Sequence, residues 1–151
     1  MKTSDVGIKL IKHFEGIHET AYKCPSGYWT IGVGHLISRN PVLNSSYDRK
    51  LSPREIDELL KSDLLRFENG LRRLLPSVQL RQNQFDALVS FCFNLGLGCF
   101  QRSTVRSALQ RGDEKRAIDV LLAYCRSGGR VLRGLQRRRA AEANLFFSHI
   151  K

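Results

Sequence analysis

Glu15-Gly16-Ile17-His18-Glu19-Thr20-Ala21-Tyr22-Lys23-Cys24-Pro25-Ser26-Gly27-Tyr28-Trp29-Thr30-Ile31-Gly32-Val33-Gly34-His35 is the stretch in which one local pattern gives way to another. Before it, Ser4 and Asp5 suit the start of a helix, and Val6, Leu10, Ile11 and Phe14 recur at helical spacing until Gly16 interrupts them. Glu15 therefore closes a helix, an unusual place for a carboxylate because the helix dipole there repels negative charge. From Thr20 to about His35 the pattern turns to aromatic and β-branched residues punctuated by Pro25, Gly27, Gly32 and Gly34. That alternation predicts a β-hairpin turning at Pro25-Ser26-Gly27.

Beyond the hairpin, Ser38–Lys50 is rich in Asn, Ser and Pro and reads as loop or irregular strand. Ser52-Pro53-Arg54-Glu55 then combines a capping box with proline at the first helical position. Ile56, Leu59, Leu60, Leu64, Phe67, Leu71, Leu74 and Leu75 follow on one face, predicting a long helix that ends before Pro76. Further helices are expected near 81–95, 104–110, 114–126 and 135–148, with breaks at Gly96-Leu97-Gly98, Gly112-Asp113 and Gly128-Gly129. The expected class is α+β. Residues 1–151 would form a single domain with a small β lobe at about 16–50 and a larger helical lobe at about 76–151 that includes the N-terminal helix.

The chain has 151 residues and a formal net charge of +11, enough length for a hydrophobic core without disulfides or metals. Residues 101–151 carry 12 of the 25 Lys and Arg but only four of the 14 acidic residues. Such asymmetry implies a polyanionic partner: nucleic acid, an anionic membrane face, or the acidic polymers of a bacterial wall. The Arg-rich half alone suggests a nucleic-acid module, but no helix-turn-helix, zinc or aromatic RNA-binding signature accompanies it, so no nucleic acid partner is expected. Cys24, Cys92, Cys99 and Cys125 show neither CxxC nor zinc-finger spacing and are expected as thiols, with Cys92 and Cys125 buried inside helices. No second ligand stands at metal spacing from His35, so neither metal nor cofactor is expected. The N-terminus lacks a signal-peptide core and no stretch approaches a membrane span, so the expectation is a protein without a membrane anchor, kept in the cytoplasm until something releases it.

Glu15-Gly16, Ala21-Tyr22-Lys23-Cys24 and Gly27-Tyr28-Trp29-Thr30-Ile31-Gly32-Val33-Gly34-His35 together resemble the signature of the phage-type lysozymes, glycoside hydrolase family 24. That signature is Glu, eight residues, Asp or Cys, five residues, Thr, met here by Glu15, Cys24 and Thr30. The likeness continues through Gln84–Phe91, Phe93-Asn94-Leu95-Gly96, Arg102-Ser103-Thr104 and the stretch from Gly128-Gly129 to Glu142. Many relatives place tryptophan before the double glycine where this chain has Tyr124 and then Cys125.

The resemblance implies a lysozyme-like fold with a cleft between the lobes, in which Glu15 protonates the glycosidic oxygen between N-acetylmuramic acid and N-acetylglucosamine. Cys24 and Thr30 would place a water on the other face of the sugar, inverting the anomeric configuration. Cys24 stands where glycosidase chemistry ordinarily puts a second carboxylate, and either its thiol or its thiolate is compatible with that task. The resemblance further implies cleft positions at Leu36, Phe93, Asn94 and Ser103, pairing of His35 with Asp63, and an approach of Arg138 to Glu15. A phage or prophage endolysin acting as a monomer on bacterial peptidoglycan would follow, with a separate holin opening the membrane so that the enzyme passes from host cytoplasm to the periplasmic wall.

Overall fold

The computed structural model describes residues 1–24, 27–38, 47 and 49–148. Its elements run α1 (Asp5–Glu15), β1 (His18–Lys23), β2 (Trp29–Gly32), β3 (His35–Ser38), α2 (Pro53–Leu74), α3 (Gln82–Leu95), α4 (Leu97–Gln101), α5 (Thr104–Gln110), α6 (Glu114–Leu122), β4 (Arg126–Ser127), β5 (Arg130–Val131) and α7 (Arg133–Phe147). Helices thus dominate, with two small antiparallel sheets, an α+β arrangement. The chain divides into two compact units: Ile11–Leu65, and Met1–Leu10 together with Arg66–Lys151.

In the Ile11–Leu65 unit the sheet has order β1-β2-β3. Tyr22 and Leu36 both oppose Thr30, so these three residues share one face, while Lys23 opposes Trp29 and His35 opposes Ile31. Irregularities interrupt both ladders, between His18 and Tyr22 on β1 and between Trp29 and Thr30 on β2. The sequence predicted a two-stranded hairpin; the third strand is the difference, and its first residue is the His35 at which that reading stopped. The turn residues Pro25 and Ser26, and most of the expected loop after Ser38, lie outside the described residues. Leu51 N–H donates to Glu19 O at 2.8 Å, tying the entry to α2 onto β1. Among the described residues, Ile11, Ile31, Val33, Leu51, Ile56, Leu60 and Leu64 are the buried aliphatics of this unit.

The capping box that opens α2 is formed: Ser52 Oγ accepts from Glu55 N at 3.1 Å, and Glu55 Oε1 accepts from Ser52 N at 3.0 Å. Arg49 also pairs with Glu55, and that hydrogen bond holds the Glu55 carboxyl down to about 2. At α1, by contrast, Ser4 directs its hydroxyl proton to Asp86, whose carboxylate also accepts from Ser4 N at 3.0 Å.

The larger unit packs α3 against α7 and α4, α5 against α4 and α6, and α6 against α7. Phe85, Leu88, Val89, Phe91, Phe100, Val105, Leu109, Leu121 and Phe146 fill its interior. Among the described residues, five charged side chains are buried in this unit, Glu68, Asp86, Arg138, Arg139 and Glu142, and the last three form one cluster. Arg139 Nε lies 2.7 Å from Glu142 Oε1, in an ion pair bent away from hydrogen-bond linearity. Arg138 Nε donates to Glu142 Oε2 at 3.3 Å and Ser90 Oγ donates to the same oxygen at 2.5 Å. Burial pushes the Glu142 carboxyl up, against the pull of both guanidiniums and the Ser90 hydroxyl. Burial likewise pushes the Arg139 guanidinium down. Cys92 is buried in α3, and desolvation raises its thiol. Cys125 departs from expectation: α6 ends at Leu122, so Cys125 lies outside the helix and is part-exposed.

Candidate active site

Gly16 ends α1 with φ +80°, a conformation that costs glycine nothing, and its N–H closes on Lys12 O at 2.9 Å. Glu15 is thereby held as the last helical residue, with a partly exposed side chain. His18, the first residue of β1, stacks on Tyr22 with ring centroids 4.1 Å apart. Its Nε2 lies 3.5 Å from where a Cβ on Gly16 would stand, so the start of the strand packs beside the helix end that carries Glu15.

One carbonyl links the two other expected residues. Tyr28 O accepts from Cys24 N at 2.9 Å and from Thr30 Oγ1 at 3.3 Å, so the backbone of Cys24 and the side chain of Thr30 converge on a single oxygen. Gly27 N–H returns to Cys24 O at 2.8 Å, and Gly27 adopts φ +83°, which the turn requires. Thr30 is buried and Cys24 part-exposed. Because Thr30 donates its proton to Tyr28 O, its lone pairs are what it can present to a water. Lys23 projects its ammonium over the Trp29 ring, 5.4 Å from the centroid.

Tyr22, opposite Thr30 on β1, lies beside these candidates, although the sequence assigned it no role. Burial raises its phenol, and the nearby Cys24 and then Glu15 raise it further, so one side chain feels both of these candidate groups. The signal was available: Tyr22 stands two residues from Cys24 on an extended segment and shares a face with its neighbours at that period.

His35 Nδ1 lies 2.8 Å from Asp63 Oδ2 and 3.0 Å from Oδ1, joining β3 to α2. Leu36, beside it, is 43% exposed on the Thr30 face. Glu15, Cys24, Thr30, His35, Leu36 and Asp63 thus all belong to the Ile11–Leu65 unit. Phe93, Asn94, Ser103 and Arg138 belong to the other. There Phe93 packs on Phe67 at 5.2 Å, and Asn94 holds its side-chain oxygen buried with no hydrogen-bond partner among the described residues. Ser103 caps α5: its hydroxyl accepts from Arg106 N at 3.2 Å and donates to Phe100 O at 2.7 Å. Tyr124 meets Phe91 edge-on at 5.3 Å. Among the described residues no His, Cys, Asp and Glu cluster could hold a metal ion, and no helix is long and apolar enough to cross a membrane.

A helix ending on a glutamate, followed by a short antiparallel sheet and a long helix into a helical unit, defines the lysozyme class of α+β proteins. The muramidase domain of SpmX from Asticaccaulis excentricus superposes with a TM-score of 0.85 at 37% identity, covering 98% of this chain and 99% of that one. Residues 12–142 match the phage lysozyme family model, and the chain belongs to that family. It is 37% identical to the endolysin of Salmonella phage P22 over 150 residues, 98% of this chain and 99% of the relative. It is 40% identical to the endolysin of Bacillus phage B103 over 98% of its own length but only 55% of the relative's. The chain thus spans about half the length of the Bacillus phage endolysins it matches.

Proposed function

We propose that the chain is a muramidase: a glycoside hydrolase that cleaves the β-1,4 bond between N-acetylmuramic acid and N-acetylglucosamine and serves phage-induced lysis. The observation that carries this reading is the Glu15–Cys24–Thr30 constellation within one compact unit, with Tyr28 O tying Cys24 to Thr30. Family membership and the endolysin relatives support the same reading.

Glu15, in its protonated form, gives its proton to the bridging oxygen as the bond from the anomeric carbon to that oxygen breaks. A water held by Cys24 and Thr30 attacks the anomeric carbon from the opposite face. Thr30 accepts one hydrogen bond from that water, and Cys24, acting as its thiolate, accepts the other and becomes the thiol by taking up the proton that the water loses. Attack opposite the departing oxygen inverts the configuration. Leu36, Phe93, Asn94 and Ser103 contact the glycan in this proposal, His35 and Asp63 brace the sheet against α2, and Arg138 approaches Glu15. The acting form is a monomer without metal or cofactor, released to the wall by a separate holin.

Mass analysis of digested peptidoglycan tests the reaction: hydrolysis leaves reducing muramic acid ends, and anhydro ends would overturn it. Glu15→Gln keeps the shape of the side chain but removes the transferable proton, so lysis should fall roughly 10²–10⁴-fold at unchanged melting temperature. Full lysis by a folded Glu15→Gln protein would exclude Glu15 as the acid.

A further inference from the structure

Cations in the C-terminal third are almost all one residue type: residues 101–151 contain ten Arg and two Lys, against seven Arg and six Lys in residues 1–100. No Asp or Glu occurs between Asp119 and Glu142, a stretch that holds six of those arginines. Arg138 and Arg139 are buried against Glu142. Arg126, Arg130, Arg133 and Arg137 are exposed, and no carboxylate of the described residues pairs with any of them.

Their arrangement follows from the β4–β5 hairpin. Gly128 and Gly129, at φ +58° and +78°, make a two-residue turn, so Arg126 opposes Val131 and Ser127 opposes Arg130. Paired residues share a face and neighbours alternate, which puts Arg126 on one side of the ribbon and Arg130 on the other. Arg126 gives Gly129 O one hydrogen bond at 3.3 Å and retains its remaining donors. Arg133 and Arg137 continue the charge one turn apart along α7.

We propose that the β4–β5 hairpin and the first turns of α7 form a docking surface for a phosphodiester polymer attached to the bacterial wall. This rests on the wall-cleaving reading above and adds a second partner to it. Guanidinium offers paired N–H donors that match phosphate oxygens, whereas lysine offers a point charge, so the arginine bias selects for phosphate. A thin ribbon with a cation on each side suits a flexible chain that can pass around it. A flat bilayer meets only one side, and a stiff duplex cannot wrap a two-residue strand.

Pelleting with purified walls tests this, using Glu15→Gln protein so that the walls persist. Failure of the hydrolase reading would appear in the fragment masses, and failure of this one in the pelleting. The variant R126Q/R130Q/R133Q/R137Q should bind phosphate-bearing walls roughly 10- to 30-fold more weakly, with a shallower dependence on salt. The difference should vanish on walls stripped of phosphate by acid extraction. R126Q/R130Q, confined to the hairpin, should lose an intermediate amount and serves if the fourfold variant melts early. Equal binding by variant and parent would overturn the proposal, as would a loss that persists on stripped walls. So would displacement of the parent from walls by anionic vesicles or single-stranded DNA at lower phosphate concentration than the isolated polymer requires.

Discussion

Replacing Glu142 with Gln tests what holds the larger unit together. Arg139 and Glu142 are each 0% exposed, and Glu142 is the carboxylate against which the Arg139 guanidinium rests. The amide keeps the size of the side chain and an oxygen for Ser90, so no cavity opens; what disappears is the negative charge. Arg139 is then left buried and charged beside Tyr124 O at 3.5 Å and the Phe91 ring at 5.0 Å, neither of which neutralises it. Breaking a buried pair in this way costs about 3–5 kcal/mol, because the surviving ion keeps its desolvation penalty. For a chain of this length that corresponds to a fall in melting temperature of roughly 6–20 °C, read by circular dichroism. Arg139→Met provides the control on sign. Taken by themselves the three groups sum to one positive charge; Glu142→Gln raises that to two, whereas Arg139→Met lowers it to zero and leaves Glu142 with Arg138 and Ser90. Arg139→Met should therefore cost less than half as much. A shift under about 2 °C for Glu142→Gln, or a larger loss for Arg139→Met, would refute the electrostatic account.

Three further outcomes are expected. Cys24→Asp should stay active, Cys24→Ser should be weaker and Cys24→Ala weakest, because carboxylate, hydroxyl and methyl offer the water a base, an acceptor and nothing; lysis assays read the order, and a fully active Cys24→Ala would make Cys24 a turn residue only. Gly7→Ala should lower stability by about 1–2 kcal/mol in denaturant titration, despite the helix propensity alanine gains, because its Cβ would lie 2.8 Å from Asp86 Cβ and Cγ and from Thr3 Cγ2, and Asp86 is buried and pinned by Ser4 and Gln82. The Glu55 carboxyl should titrate at about 2 by NMR and move upward in Arg49→Ala; with its folded value depressed, whatever stability it adds is present above the ordinary carboxylate range and lost as pH falls towards 2, and a normal titration in the parent protein would contradict the pairing.

The parts of the fold legible in the sequence are those whose signals are local. Ser52, Pro53 and Glu55 announce α2, and its apolar stripe is buried from Ile56 to Leu75 except for the half-buried Leu59. Gly16 and the hairpin residues likewise announce the end of α1 and the first two strands, and with them the motif at Glu15, Cys24 and Thr30. Where glycine was read only as a break, elements were missed. Leu97–Gln101 is helical although flanked and interrupted by Gly96 and Gly98, because Phe100 is drawn fully into the core, a tertiary pull that local propensity does not register. Gly128-Gly129 is itself a hairpin signal, since two consecutive residues with positive φ make the turn that strand twist favours. The helix expected near 114–126 does form from Glu114 but ends at Leu122, where no glycine or proline marks its end.

The run Arg137-Arg138-Arg139 shows how the fold sorts residues that composition cannot tell apart. At 3.6 residues per turn, Glu142 stands roughly 40° around α7 from Arg138 and roughly 60° from Arg139, but about 140° from Arg137. One carboxylate can therefore face two of the three guanidiniums and not the third. The first two are buried against it and Arg137 is exposed. A count of charge treats the three alike and so overstates the cation density that the C-terminal third shows to solvent. Between Asp119 and Glu142 the arginines that remain on the outside are Arg126 and Arg130 on the two faces of the ribbon and Arg133 and Arg137 on α7. The same geometry that builds the ion pair of the core thus decides which arginines are left to meet a polyanion.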